Sequence, residues 1–222
     1  MKVLIVFAHP EPKSFNGALF DTAVKTLTED GHQVATSDLY RMAFNPVSDR
    51  HNFTTVKEPD FLKLQTEEMH ASEVGGFAPD LEAELRKLEA ADLMIWQFPL
   101  WWFGLPAILK GWVDRVFAMG RVYGHGHIYE TGMFQGKRAL LSLTTGGPRD
   151  AYRPDGLHGD VDAVLRPIER GILQFTGFSV LPHQIHWQPV RVEPAERHQW
   201  LDAWRDRLRG IEHEAPLEVG RY

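Results

Sequence analysis

Three short segments of this chain carry side chains that could do chemistry together. The first, His9-Pro10-Glu11-Pro12-Lys13-Ser14-Phe15-Asn16, ends at a helix start, with Ser14 and Asn16 beside it. Free backbone N–H groups and the helix dipole favour a phosphate there, and His9 can donate from the strand side. The second, Leu100-Trp101-Trp102-Phe103-Gly104, sets three aromatics in a row, able either to pack beneath a helix or to wall a flat aromatic ligand. The third, Thr144-Thr145-Gly146-Gly147-Pro148, offers two hydroxyls and two glycines that let the backbone approach a planar polar edge. Tyr152 and His158 follow it, a phenol and an imidazole that can donate to negative charge developing on such a ligand. Each feature also has an ordinary reading: Ser14 as a helix cap, the aromatics as packing, the glycines as a turn, Tyr152 and His158 as surface or core groups.

All three segments fall where strands end. Near-continuous apolar runs at Val3–Ala8, Leu93–Leu100, Ala139–Thr145 and Phe178–Leu181 read as parallel strands buried on both faces, and Gln33–Tyr40 as a strand nearer an edge. Helical spacing lies between them. Ser14 caps a helix that Gly31 stops, Asp80 caps Leu81–Ala91, and Pro106 opens a helix to about Phe117. Asp160–Phe175 carries a kink at Pro167, and Pro194 opens a last helix that buries Trp200, Leu201, Trp204 and Leu208. Five strand–helix alternations predict an α/β fold, a doubly wound five-stranded parallel sheet in the order 2-1-3-4-5 with helices on both faces. Its ligand crevice opens at the carboxyl ends of the strands. The expectation is one domain over residues 1–222, with insertions at about 45–77 (polar and loop-like) and 119–134. Glu67–Glu68 and Arg205–Arg209 read as solvated faces.

A flat aromatic ligand bearing phosphate, held by these three loops, is better matched by a flavin than by a nicotinamide dinucleotide. No G-x-G-x-x-G follows the first strand, and no Walker loop or G-x-S-x-G elbow occurs. The chain has no cysteine, which removes disulfides, thiolate metal sites and a cysteine nucleophile. His125 with His127, and His183 with His186, lack a carboxylate at ligand spacing, so no metal is expected. Net charge is −6, against binding to nucleic acid or an anionic membrane. With no leader-like pattern after Met1 and no apolar run of spanning length, the expected location is cytoplasmic, without membrane insertion.

The stretches LIVFAHPEPKSFN, PLWWFGLPAILKGWVDRVF and LTTGG, with Tyr152 and LHGD behind it, RPIERGILQFTGF and PAERHQWLDAW resemble the NAD(P)H:quinone oxidoreductases of the flavodoxin-like superfamily, the DT-diaphorase family. The likeness runs from Val3 to about Pro216. It implies a homodimer with one FAD per subunit and an active site built across the interface. By resemblance, His9, Phe15 and Asn16 hold the FAD diphosphate, Leu100, Trp101, Trp102 and Phe103 with Thr144, Thr145, Gly146 and Gly147 line the isoalloxazine, and Arg197 lies near the adenosine half. Tyr152 and His158 match the pair that stabilises the reduced flavin, Tyr152 also contacting the cofactor. Trp102, Phe103, Tyr123 and Phe175 match the shared quinone and nicotinamide pocket, the last two reaching in from the partner, and His125 replaces a second pocket tyrosine. The implied activity is two-electron, ping-pong reduction of a quinone by NADH or NADPH.

Departures bear on specificity. Arg191 replaces a pocket histidine, and Arg170 and Gln174 stand where one branch carries metal-ligating histidines. Phe61–Glu68 aligns poorly, so Gln65 takes no assigned role. Two relatives of different activity share the flavin site: ancillary regulatory subunits of potassium-efflux systems, and azo or nitro reductases. A flavodoxin-type single-electron carrier is disfavoured, since it lacks the 119–134 insertion.

Overall fold

Alternation along the apolar runs decides the layering. In β1 (Lys2–Phe7), Val3 and Ile5 face one side of the sheet and Leu4 and Val6 the other, and all four are buried. The computed structural model, which describes residues 1–220, sets β1 beside β2 (Gln33–Asp38) and β3 (Leu93–Pro99), with β4 (Arg138–Thr145) beyond β3. Every pairing is parallel. On the Val3 face lie α1 (Phe15–Glu29) and α6 (Pro194–Arg209), joined through Leu19, Leu27, Trp204 and Leu208. The Leu4 face carries α3 (Pro79–Ala90), α4 (Ala107–Val116) and α5 (Val161–Ile168) around Trp96, Trp112, Leu85 and Leu165. Helices on both faces explain why the central strands carry so little polar character.

The strand order is the predicted 2-1-3-4-5, but the fifth position is divided. The run expected as a strand over Phe178–Leu181 pairs only at β5 (Ser179–Val180), and pairing with β4 resumes at β6 (Gln184–Trp187). Pro182, which has no N–H to donate, lies in the break. Pro167, inside α5, is followed by a π-helical turn over Glu169–Gln174, which continues the helix beyond the proline.

Several local expectations are corrected. The 45–77 segment is not loop throughout: it contains α2 (Leu64–Val74), whose weak amphipathicity hid it. Glu67 and Glu68 are 1% and 6% exposed rather than solvated. Glu67 accepts from the amides of Lys57 (2.7 Å) and Glu58 (2.8 Å), and Glu68 from that of Met119 (2.8 Å), so charge goes inside where backbone donors wait. Asp80 does not cap α3, which starts at Pro79. It instead receives Arg115 Nη2 (2.9 Å), and that wholly buried guanidinium also binds Asn52 Oδ1 and the Asn45 carbonyl, tying the 45–77 segment to α4. On α6, Trp200 and Leu201 are only half-buried, and Arg207 is drawn in by Gln184, the Pro182 carbonyl and Glu214.

Candidate active site

The carboxyl ends of β1, β3 and β4 converge as their registers require, since Phe7 pairs with Gln97, and Pro99 with Thr144. At the first, Ser14 Oγ accepts from the Gly17 amide (3.1 Å) and caps α1. The amides of Phe15 and Asn16 find no acceptor in the described residues, so two donors stay available at the positive end of α1. Gly17 permits the tight loop, because a Cβ there would fall 1.9 Å from the Pro12 carbonyl oxygen. His9 Nδ1 receives the Glu11 amide (3.0 Å), which in a neutral ring leaves the proton on Nε2. The Phe15 ring turns away, edge-on to His186 (5.4 Å) and Trp200 (5.8 Å), so Phe15 offers the crevice its backbone. Asn16 is buried and donates to Thr144 Oγ1 (2.8 Å).

At the second end, the Leu100 amide is held by the Thr144 carbonyl (2.8 Å). Trp102 and Phe103 then adopt φ of +51° and +58°, in the left-handed region that costs a non-glycine residue roughly 1–3 kcal/mol. Trp102 is 97% exposed, and Trp101 sits 6.2 Å from the His9 ring. Two strained, exposed aromatics at a strand end are unexplained by packing, the alternative the sequence left open.

At the third end, Thr145 Oγ1 donates to the Gly147 carbonyl (2.8 Å), and Gln188 Nε2 holds the Gly146 carbonyl (3.0 Å). Gly147 packs directly on the Tyr152–His158 pair, whose rings are 4.9 Å apart. Phe103 stands edge-on to His158 (5.5 Å), which links this end to the aromatic one. Tyr152 is 8% exposed, and burial pushes its phenol above the usual tyrosine range, so it keeps its proton at neutral pH. Neither its hydroxyl nor the His158 ring nitrogens have a hydrogen-bond partner among the described residues. Arg197, on α6, donates to the Pro189 carbonyl (3.1 Å) and lines a recess of about 230 Å³ with Lys13, Ser14, Phe15 and Leu201, next to the α1 terminus.

Tyr123 and Phe175 lie elsewhere. Their rings meet edge-on at 5.9 Å in a cavity of about 310 Å³, which Leu64, Gln65, Glu68 and Ile172 also line. His125 follows in a left-handed turn (φ +53°). Within one chain, therefore, the expected site residues form two groups, a crevice group and a Tyr123–Phe175 group. Sequence reasoning passed over Gln65, which donates to the Tyr123 hydroxyl (3.4 Å), and Glu68 in the same wall. It also passed over Gln97 beneath the crevice, although an amide inside LMIWQFPL is a visible signal.

The family profile described as a flavodoxin-like fold matches residues 1–208. The chain is 45% identical to NAD(P)H dehydrogenase (quinone) 1 of Rattus norvegicus, over 97% of this chain and 79% of the relative. It is 43% identical to ribosyldihydronicotinamide dehydrogenase (quinone) of Homo sapiens, over 97% and 94%. A candidate quinone reductase from Klebsiella pneumoniae superposes with a TM-score of 0.91 at 38% identity, covering 97% of this chain and 86% of that one. An FMN-dependent NADH-azoreductase of Bacillus anthracis, 16% identical with a TM-score of 0.64, shares the fold. On profile, sequence and crevice alike, the chain belongs to the flavodoxin-like fold family and, within it, to the NAD(P)H:quinone oxidoreductases.

Proposed function

We propose that this chain is an FAD-dependent NAD(P)H:quinone oxidoreductase working by ping-pong turnover as a homodimer. The observation that carries the reading is the Tyr152–His158 pair, packed on Gly147 with its polar atoms unspent, beside an exposed aromatic wall and a helix terminus with two free amides. These residues fit a flavin: the Phe15 and Asn16 amides and His9 would take the diphosphate, Trp101 to Phe103 would face the ring, and Gly146–Gly147 would admit its polar edge. The recess beside Arg197 gives room past the diphosphate for an adenosine half, which favours FAD over FMN.

A bound FAD would supply two-electron transfer between NAD(P)H and a quinone. The chain's part is positioning and charge. Tyr152 holds a proton at Oη, and His158 presents its ring nitrogens beside it, where donors to developing negative charge lower the barrier. Trp102 and Phe103 offer a face on which nicotinamide or quinone stacks and from which water is displaced. A second copy of the chain bringing Tyr123, His125 and Phe175 over the wall completes the pocket, and accounts for two half-sites in one subunit. Among the described residues no helix is long and apolar enough to cross a membrane, and a quinone that diffuses to the crevice fits that.

The test is an absorbance spectrum of purified protein, with chromatographic identification of the released flavin. FAD bands bleached by NAD(P)H and restored by a quinone support the reading, and FMN on release corrects the cofactor. A colourless protein that refuses added FAD overturns it. Azo and nitro acceptors, assayed side by side with quinones, rank the substrate class.

A further inference from the structure

Gln97 is the one polar residue of β3, in a strand otherwise written Leu93-Met94-Ile95-Trp96-Phe98-Pro99, and it is 1% exposed. Its Oε1 is buried without a partner among the described residues, as is Oγ of Ser142, its register neighbour on β4. An unsatisfied buried acceptor is destabilising, so an apolar side chain would serve the sheet better. What the amide does make is one bond: Nε2 donates to Asn16 Oδ1 (2.8 Å). Asn16 in turn donates through Nδ2 to Thr144 Oγ1 (2.8 Å).

The sense of this chain has a consequence at its far end. With Oδ1 engaged by Gln97, Asn16 can present only N–H to Thr144, and a hydroxyl that accepts there must send its own proton elsewhere. Thr144 Oγ1 donates to no group in the described residues, unlike Thr145, whose proton goes to the Gly147 carbonyl. Thr144 is the penultimate residue of β4, 5% exposed at the crevice end of the strand, where its carbonyl holds the Leu100 amide (2.8 Å). Successive bonds in one direction also polarise each other, strengthening the last donor by about 10–30% per bond.

We infer that Gln97 is a positioning residue for the cofactor site: through Asn16 it forces the Thr144 hydroxyl to act as a hydrogen-bond donor to the bound flavin. This rests on the flavin reading above. A donor favours the more electron-rich, reduced cofactor, so the relay raises the flavin midpoint potential without Gln97 touching the ligand.

The test is the midpoint potential of the bound flavin, by dye equilibration, in Thr144→Val, Thr144→Ser, Gln97→Met and the Gln97→Met/Thr144→Val double variant. Thr144→Val is expected to weaken the preference for reduced over oxidised flavin about tenfold, about 30 mV for a two-electron couple. Thr144→Ser keeps the parent value. Gln97→Met weakens the same preference by about threefold or more, and adds nothing once Thr144 is valine. An unchanged or raised potential in Thr144→Val overturns the inference, and does so even if Gln97→Met fails to fold. A Gln97→Met shift that is absent, or that persists in the Thr144→Val background, overturns it too. In these outcomes flavin is bound and the functional reading stands, whereas a protein that takes up no flavin refutes both.

Discussion

Gly147→Ala isolates how closely the Tyr152–His158 pair must be held. A Cβ at this position would lie 2.9 Å from Tyr152 Cε2 and 3.2 Å and 3.3 Å from His158 Nε2 and Cδ2. Carbon contacts are comfortable from about 3.5 Å, so the rings must retreat by about 0.6 Å. Tyr152 has little room to do so, with Trp187 at 5.3 Å and Phe103 at 6.2 Å between ring centres. Overpacking of this size costs about 1–2 kcal/mol, which for a chain of this length lowers Tm by about 3–6 °C. Placement errors approaching 1 Å cost catalysis up to about 100-fold, so a displacement of half that predicts about a tenfold slower flavin reduction. Gly146→Ala is the matched control, because a Cβ there meets nothing within 4 Å, and its Tm should not move. Stopped-flow bleaching of the flavin by NADH reads the first quantity and calorimetry the second. Reduction within twofold of the parent, in a Gly147→Ala protein whose Tm has fallen, refutes the claim that pair placement sets the rate.

Tyr152→Phe and His158→Gln should each slow flavin reduction by about 10- to 100-fold while flavin stays bound, since the first removes a donor and the second displaces one from the ring position, in a pair with no other hydrogen-bond partner among the described residues. An unchanged half-reaction in stopped flow removes the assigned role. Trp102→Ala should leave Tm of the apoprotein nearly unmoved, because the ring is 97% exposed, yet weaken flavin or nicotinamide binding by up to about tenfold through lost stacking. A fluorescence titration that finds equal affinity contradicts this. Burial raises the Glu68 carboxyl above its ordinary value, so the folded state binds its proton more tightly than the unfolded state. Stability is therefore lost as pH rises through the folded-state value, and none is lost below pH 4, where both states are largely protonated. Glu68→Gln should accordingly raise Tm by a few degrees at pH 8, and the gain should vanish near pH 4. A gain that is the same at both pH values would contradict a titrating Glu68.

Much of the fold is legible because strands buried on both faces leave a one-dimensional trace. VLIVFA and LMIWQFPL have no room for polar alternation, and Ser14 caps α1 through a local bond to Gly17 that spacing alone reveals. Elements whose reason for existing is remote were not legible. The amides that welcome Glu67 and Glu68 come from residues 57, 58 and 119, the last some fifty positions away, so two acidic residues in sequence looked like surface. Arg115 and Asp80 meet across 35 positions, which turned an apparent cap into an ion pair.

The same division holds for the site. Residue types and order alone pointed to the three loops that converge and to the Tyr152–His158 pair that packs there, because loops at strand ends are strings of adjacent residues. Only the tertiary structure showed that Trp102 and Phe103 are strained and open to solvent, that Tyr123 and Phe175 stand apart from them, and that Gln97, Asn16 and Thr144 form one directed chain. A hydrogen bond's direction and a ring's exposure depend on groups distant in sequence, and those meet only when the sheet is assembled.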